Sequence, residues 1–321
     1  MDKLALHYGT CLLTAVGLAQ LEGLLGAINV TIPSTLRSWL PSTIKGVLLW
    51  GYAITYLDPT FKRGGYRSRW FQNLSMWKSV LKYFPARVNC DTQLEQTQPY
   101  IFAAFPHGAC TAQHLLTMTD GVNFLSEIHP GDRRDLAATI LFYIPVVREL
   151  LLLLGNVDAG ASTAKFNLEK GRSLLIFVGG EAEQLLTRPG AHRVYLRKRK
   201  GFIRLALKFG TPIVPCYCFG ENELYNTSDA FIGLRQWLCH NFHVGLSICW
   251  GRWGTLFPKK VPLSLVLGTP ISVPKLQATE MPMTAEVVDA VHGEFVESIG
   301  KLFEKHKVAC GAGKDATLEV M

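Results

Sequence analysis

Several common chemistries are missing from this chain. No Cys-x-x-Cys pair occurs in its 321 residues, and its eight cysteines are scattered without a regular framework. That excludes a disulfide scaffold and a spaced zinc motif. Cys239, His240 and His243 lie close together but lack a second pair, so no metal is expected and the thiols are read as reduced. No Gly-x-Ser-x-Gly elbow is present, which argues against a serine esterase or lipase. Gly155 to Gly160 has the glycine spacing of a phosphate-binding loop, yet Ala161-Ser162 stands where lysine is required, so nucleotide hydrolysis is not supported. Zinc-finger spacing, an RNP-like aromatic motif and a long basic arm are all absent, which leaves nucleic acid the weakest partner class. A clean apolar span of about 20 residues is missing too. Leu4 to Val30 is broken by Gln20 and Glu22, and Ile44 to Leu57 is shorter.

What is present leans toward lipid. Hydrophobic residues make up 48% of the chain and the mean hydropathy is +0.17, high for a soluble enzyme. The formal net charge of +8 favours an anionic partner, either a lipid surface or a nucleotide-like ligand. The two apolar stretches are joined through Pro33, Arg37 and Pro41, and Lys62, Arg63, Arg67 and Arg69 follow them. A hairpin entering a bilayer, a cleaved signal peptide and an amphipathic pair packed on the domain all remain open on hydropathy alone.

The stretch that organises the rest is Tyr100 to Phe105, an apolar run closed by Pro106-His107-Gly108. Such a run reads as a buried strand ending in a tight turn, and helix-forming character follows from Ala109 to Met118. His107 then stands at a strand's carboxyl end, where sites collect in open α/β sheets and where an imidazole can take and return a proton. The pattern recurs. Ser173 to Val178 is a second apolar strand and ends in Gly179-Gly180-Glu181-Ala182-Glu183; Lys200-Gly201-Phe202 opens an amphipathic helix; the strand Pro212 to Phe219 ends in Gly220-Glu221-Asn222.

With Pro-His-Gly at 106–108, Gly-Gly-x-x-Glu at 179–183, Arg-Lys-Gly-Phe at 199–202 and Phe-Gly-Glu-Asn-Glu at 219–223, the chain resembles the type-2 diacylglycerol acyltransferases and their monoacylglycerol and wax-ester relatives. Gly64 to Ser68, Tyr83-Phe84-Pro85, Pro145 to Glu149, Gly268 to Ile271 and Leu302 to Lys307 follow the family's order as well, so the likeness covers residues 58–308. It implies an α/β fold, a glycerolipid acyltransferase-like mixed sheet flanked by helices, with an N-terminal membrane hairpin. The expected parts are a membrane-embedded helical hairpin over 1–57, a catalytic domain over 58–308 and a loose tail over 309–321.

The implied reaction passes an acyl group from acyl-CoA to the hydroxyl of diacylglycerol and forms triacylglycerol. Monoacylglycerol or a long-chain alcohol is the alternative acceptor, and a non-catalytic lipid-binding scaffold is the alternative from another class. Acyl-CoA is a substrate, so no cofactor is called for. Membrane lipid is an expected partner and nucleic acid is not; a homo-oligomer is left open. The expected location is the endoplasmic reticulum membrane with the catalytic domain facing the cytosol, and the lipid droplet surface as a second place.

His107 is the expected general base, because an alcohol is a poor nucleophile at neutral pH. The phospholipid-making acyltransferases place an acid five positions after their histidine; Ala112 stands there in this chain. Glu183 is therefore expected to hold or polarise His107, with Glu181 second. Cys110 is weighed as a covalent nucleophile, and nothing near it in sequence lowers its pKa. Pro106, Gly108, Gly179, Gly180, Arg199, Lys200, Gly201, Glu221 and Asn222 are expected to bind substrate. Phe105 departs from the family's commoner His-Pro-His-Gly. Leu150 to Leu154 reads equally as an acyl-chain tunnel or a buried core helix. The basic run Arg188 to Arg204 suits a phosphorylated ligand or lipid headgroup.

Overall fold

The computed structural model describes residues 50–242, 245–276 and 283–321. Most of the expected N-terminal hairpin falls outside the described residues. Among those described, no helix is long and apolar enough to cross a membrane. The chain divides into two compact units, Met1–Arg67 with Ala137–Thr163 and Ser68–Leu136 with Ala164–Met321.

The second, larger unit carries a mixed sheet. Its strands are β1 (Arg87–Cys90), β2 (Ile101–Phe105), β3 (Arg133–Ala137), β4 (Ser173–Phe177), β5 (Ile213–Phe219) and β6 (Ser264–Leu267), in the order β1-β6-β5-β2-β4-β3. Strand β2 runs parallel to both β4 and β5, whereas β5 and β6 are antiparallel. Every residue of β2 and β5 is buried. A strand covered on both faces needs apolar side chains at every position, which is why these segments read as unbroken runs.

The flanking helices are α1 (Gln113–Met118), α2 (Gly180–Leu186), α3 (Gly201–Phe209), α4 (Ile232–Phe242) and α5 (Ala285–His306). Helix α5 starts at Thr284, whose hydroxyl accepts from the Val287 amide, and it buries Val288, Phe295, Ile299 and Leu302 along one face. Phe295 lies 4.9 Å from Phe202 of α3 and 6.3 Å from Phe105 of β2, measured between ring centroids. Helix α3 stops at Gly210, which takes φ +63° with no side chain to oppose it. Phe102, Leu116, Phe124, Leu175, Val214 and Leu265 belong to one core cluster, so β2 and its site-bearing end sit on a rigid base.

Four expectations change. The helix after His107 starts at Gln113 instead of Ala109, because the intervening turn is held by a buried carboxylate. The run Leu136 to Phe142 reads in sequence as a candidate strand, but the strand lies earlier, at Arg133–Ala137, where the buried ion pair of Arg133 and Asp135 (2.7 Å) masks the pattern of a buried strand. The aromatic-rich stretch Trp237 to Trp253, ending in Gly251-Arg252-Trp253-Gly254, reads in sequence as strand plus turn; it begins instead inside α4 and ends beyond the two-residue strand Cys249–Trp250. The tail is not loose at its end: Glu319–Val320 pairs in parallel with Arg193–Val194, and the Leu196 and Arg197 amides both donate to the Met321 carbonyl, at 2.9 Å and 2.7 Å.

In the smaller unit, Phe61 stacks on Phe142 at 4.9 Å and both pack with Leu152 of the helix Val147–Leu153. Tyr52 donates to Glu149 at 2.7 Å, and Arg148 donates to the Thr55 carbonyl at 2.9 Å. Within Leu150 to Leu154, Leu152 and Leu154 are buried whereas Leu150 and Leu153 are exposed, which is neither a fully buried helix nor a continuous tunnel wall.

Candidate active site

The carboxyl ends of β2, β4 and β5 lie side by side, with Ala104 opposite Phe177 and Phe105 opposite Tyr217. The three turns that leave them carry His107, Gly179 to Glu183 and Glu221. Parallel pairing thus gathers residues more than a hundred positions apart.

His107 is partly exposed, with its ring edge toward Phe177 at a centroid distance of 5.4 Å. Its Nδ1 lies 3.1 Å from the Gly108 carbonyl and 3.2 Å from Thr111 Oγ1. The Thr111 hydroxyl spends its only proton on the His107 carbonyl at 2.7 Å. A carbonyl accepts only, and that hydroxyl can only accept as well, so Nδ1 carries the ring proton. This assigns the lone pair to Nε2, the atom able to receive a proton. Burial, the main cause, lowers the imidazole pKa to about 4, with the Gly108 carbonyl opposing and His114 adding to the fall. The ring is therefore neutral at physiological pH.

Glu183 is buried, and its carboxylate reaches the main chain of His107, not its ring. Oε1 accepts from the His107 amide at 2.5 Å and Oε2 from the Tyr195 amide at 2.7 Å. Its contact with His107 is therefore with the backbone that carries the imidazole. Gly179 sits so close to this carboxylate that an added Cβ would overlap Glu183 Oε2.

Glu221, expected to bind substrate, instead builds the other wall of the turn. It accepts from the Ala112 and Gln113 amides at 2.8 Å and 2.9 Å, capping the start of α1. Gly108 takes φ +70°, and a Cβ there would lie 2.8 Å from Glu221 Oε1. The Pro106 carbonyl accepts from Gln113 Nε2. Burial raises the Glu183 pKa to about 7 and the Glu221 pKa to about 8, in each case against the pull of two amide donors.

A pH dependence follows. Each of these carboxyls has a folded pKa above its ordinary value of 4.5. The folded state therefore holds the proton longer, and the stability so contributed is complete below the ordinary value and lost as pH rises through 7 and 8. Between pH 7 and 9 the unfolding free energy is expected to fall by about 1–2 kcal/mol. Denaturant titrations at the two pH values check this, and Glu221→Gln is expected to flatten the slope.

The remaining expected residues divide. Arg199 donates to the Gly179 carbonyl at 3.2 Å and lies over the Tyr195 ring at 5.1 Å, so it stays with the site. Lys200 is paired with Asp289 at 2.6 Å. Asn222 donates to the Ala191 carbonyl at 2.8 Å. Gly180 takes φ +56° and Gly201 opens α3; a Cβ at either would meet nothing. Cys110 follows His107 by three residues; although the residue is exposed, partial desolvation of its thiol, chiefly, and its neighbour Cys249 push that thiol up, which disfavours it as a nucleophile at neutral pH.

Sequence reading missed Thr111, Phe177, Tyr195 and Gln184, the last donating to the Ala109 carbonyl at 2.8 Å. It also missed His114, which packs on Phe177 at 4.4 Å with Nδ1 3.5 Å from Asp135. Only Thr111 carried a local signal, a hydroxyl four residues after the histidine.

The mixed sheet thus presents a neutral imidazole at its carboxyl edge, on a turn held by two buried glutamates. The family described as diacylglycerol acyltransferase matches residues 38–321. The human 2-acylglycerol O-acyltransferase 3 is 34% identical over 285 residues, covering 82% of each chain. The human diacylglycerol O-acyltransferase 2 is 35% identical over 280 residues, covering 81% of this chain and 70% of its own. The chain belongs to the diacylglycerol acyltransferase family. A looser likeness, with a TM-score of 0.41 and 20% identity over 69% of this chain and 75% of the other, links it to the 1-acyl-sn-glycerophosphate acyltransferase PlsC of Thermotoga maritima.

Proposed function

We propose that this protein transfers an acyl group from acyl-CoA to the free hydroxyl of diacylglycerol, forming triacylglycerol, with His107 as general base. The observation that carries the chemistry is the assigned lone pair at Nε2, on a ring whose main chain is fixed by Glu183. In the proposed step, Nε2 takes the proton of the glyceride hydroxyl as its oxygen attacks the thioester carbonyl. The tetrahedral intermediate collapses by breaking the carbon–sulfur bond, and the imidazolium returns the proton to the departing thiolate. Backbone amides at Gly108, Ala109 or Gly180 are the proposed donors to the oxyanion. The acyl group passes directly from one substrate to the other, and the raised Cys110 thiol supports that reading.

Arg199, with the basic run from Arg188 to Arg204, is the proposed attraction for the phosphates of CoA. The protein is proposed to act at the endoplasmic reticulum membrane with this site facing the cytosol, and at the lipid droplet surface. Residues 1–57 are proposed as its membrane hairpin. Monoacylglycerol is the second acceptor to weigh, because the 2-acylglycerol relative is as similar as the diacylglycerol one.

Labelled oleoyl-CoA offered to microsomes with diacylglycerol, monoacylglycerol or hexadecanol separately tests the reading. Triacylglycerol is expected to dominate. Preferential diacylglycerol formation from the second acceptor would move the protein to the alternative, and no ester from any acceptor would favour a scaffold.

A further inference from the structure

From Ala230 to Lys260 the chain contains no aspartate or glutamate, while Arg252, Lys259 and Lys260 supply positive charge. The same stretch holds a dense group of exposed apolar side chains. Phe231, Leu234, Trp237, Phe242, Trp253 and Leu256 are all more than half exposed, with Phe231, Trp253 and Leu256 at 76%, 77% and 72%. Helix α4 has one buried residue, Arg235, which donates to the Leu246 and Ser228 carbonyls at 3.2 Å and 2.7 Å and so ties the helix to its own flanks. Ile232, Leu238 and Cys239 are half-buried and the helix's other residues are exposed. Exposed apolar side chains in this number within one segment mark an interaction face.

This segment also borders the site. Ser247 Oγ donates to the Gln184 carbonyl at 3.0 Å, Gln184 Nε2 donates to the Ala109 carbonyl at 2.8 Å, and Cys249 Sγ lies 3.9 Å from Cys110 Sγ. Its apolar side chains are thus carried on the chain that flanks the turn of His107.

We infer that residues 231–242 and 245–257 form a lipid-contacting surface that rests on a bilayer leaflet containing anionic phospholipid and opens the His107 turn toward glyceride dissolved there. The proposal rests on the acyltransferase reading. Three features select lipid as the occupant. Tryptophan and phenylalanine beside leucine suit the boundary between headgroups and acyl chains. Positive charge without a single carboxylate is attracted to an anionic leaflet. The acceptor and the product are both insoluble, so the approach to His107 must meet lipid and not bulk water. The segment is separate in sequence from the expected hairpin over 1–57: the hairpin would hold the protein to the membrane, and this face would set the orientation of the site against it.

The test uses the full-length protein in vesicles of phosphatidylcholine and phosphatidylserine. Two acceptors are compared, long-chain diacylglycerol dissolved in the vesicles and dihexanoylglycerol dissolved as monomer in water. Trp237→Ser, Trp253→Ser and Leu256→Ser, combined in one variant, change exposed side chains outside the catalytic machinery. The combined variant is expected to lose at least tenfold in rate on the vesicle acceptor and to stay within twofold on the soluble one. In vesicles with brominated acyl chains, the quenched fraction of tryptophan fluorescence is expected to fall in the variant. Arg252→Glu with Lys260→Glu is expected to abolish the stimulation by phosphatidylserine. Equal loss on both acceptors would assign these residues to folding or chemistry. An unchanged vesicle rate would leave the face to a protein partner or to residues 1–49. Either result overturns the proposal, whereas a wild type that esterifies neither acceptor overturns the acyltransferase reading instead.

Discussion

His107→Ala is expected to lower ester formation by about 10²–10⁴-fold, the range that a positioned general base supplies. The size follows from the chemistry of the acceptor: a glyceride hydroxyl is almost wholly protonated at neutral pH, and Nε2 is the lone pair that the ring's own hydrogen bonds leave for it. The fold should survive. The imidazole is partly exposed and bonds only within its own turn, so its loss is expected to cost about 1 kcal/mol or less of stability. Steady-state rates beside thermal unfolding of the same preparations separate the two effects. A large fall in rate with an unmoved melting temperature is the expected pair of results.

Glu183→Gln should act on both quantities. The glutamate is buried and spends one oxygen on the His107 amide and the other on the Tyr195 amide. An amide side chain can accept through one atom only, so it would turn an N–H toward one of those donors and leave it unpaired. A buried donor without a partner costs about 1–3 kcal/mol. The turn carrying His107 would shift, and a displacement of about 1 Å at a reacting group costs on the order of 100-fold in rate. Glu183 is a positioning residue in this account, so kcat should fall while KM for acyl-CoA holds. A loss confined to stability would remove that role. Gly179→Ala is expected to act in the same direction, because its Cβ would displace the same side chain.

Much of this site is legible in the sequence because it is built from contiguous motifs at strand ends. Tyr100 to Gly108, Ser173 to Glu183 and Pro212 to Asn222 each announce a buried strand and the turn after it, and the sheet brings those three turns together. What each carboxylate does was not legible. Glu183 and Glu221 are set apart by their motifs, but which atom a carboxylate holds depends on where two separate turns meet in space. One clasps the His107 amide and the other caps α1, and neither reaches the imidazole ring. Phe177 and Tyr195 were invisible for the same reason: their part comes from distance across the sheet edge and not from neighbours in the chain. The strand at Arg133–Ala137 was misplaced because its charges pair with each other in the interior, which no apolar pattern reports. The tail ending in Glu319–Val320 carried too few residues to signal a strand at all, and only its partner Arg193–Val194 defines it.

The central claim is direct transfer of the acyl group at His107, without an intermediate bound to the protein. It is tested most directly by giving purified protein labelled oleoyl-CoA alone, quenching part of the sample, and adding diacylglycerol to the rest. No label is expected on the protein before the acceptor is added, and labelled triacylglycerol is expected afterwards, in wild type and not in His107→Ala. Label bound to the protein through Cys110, or triacylglycerol formed at an equal rate by His107→Ala, would contradict it.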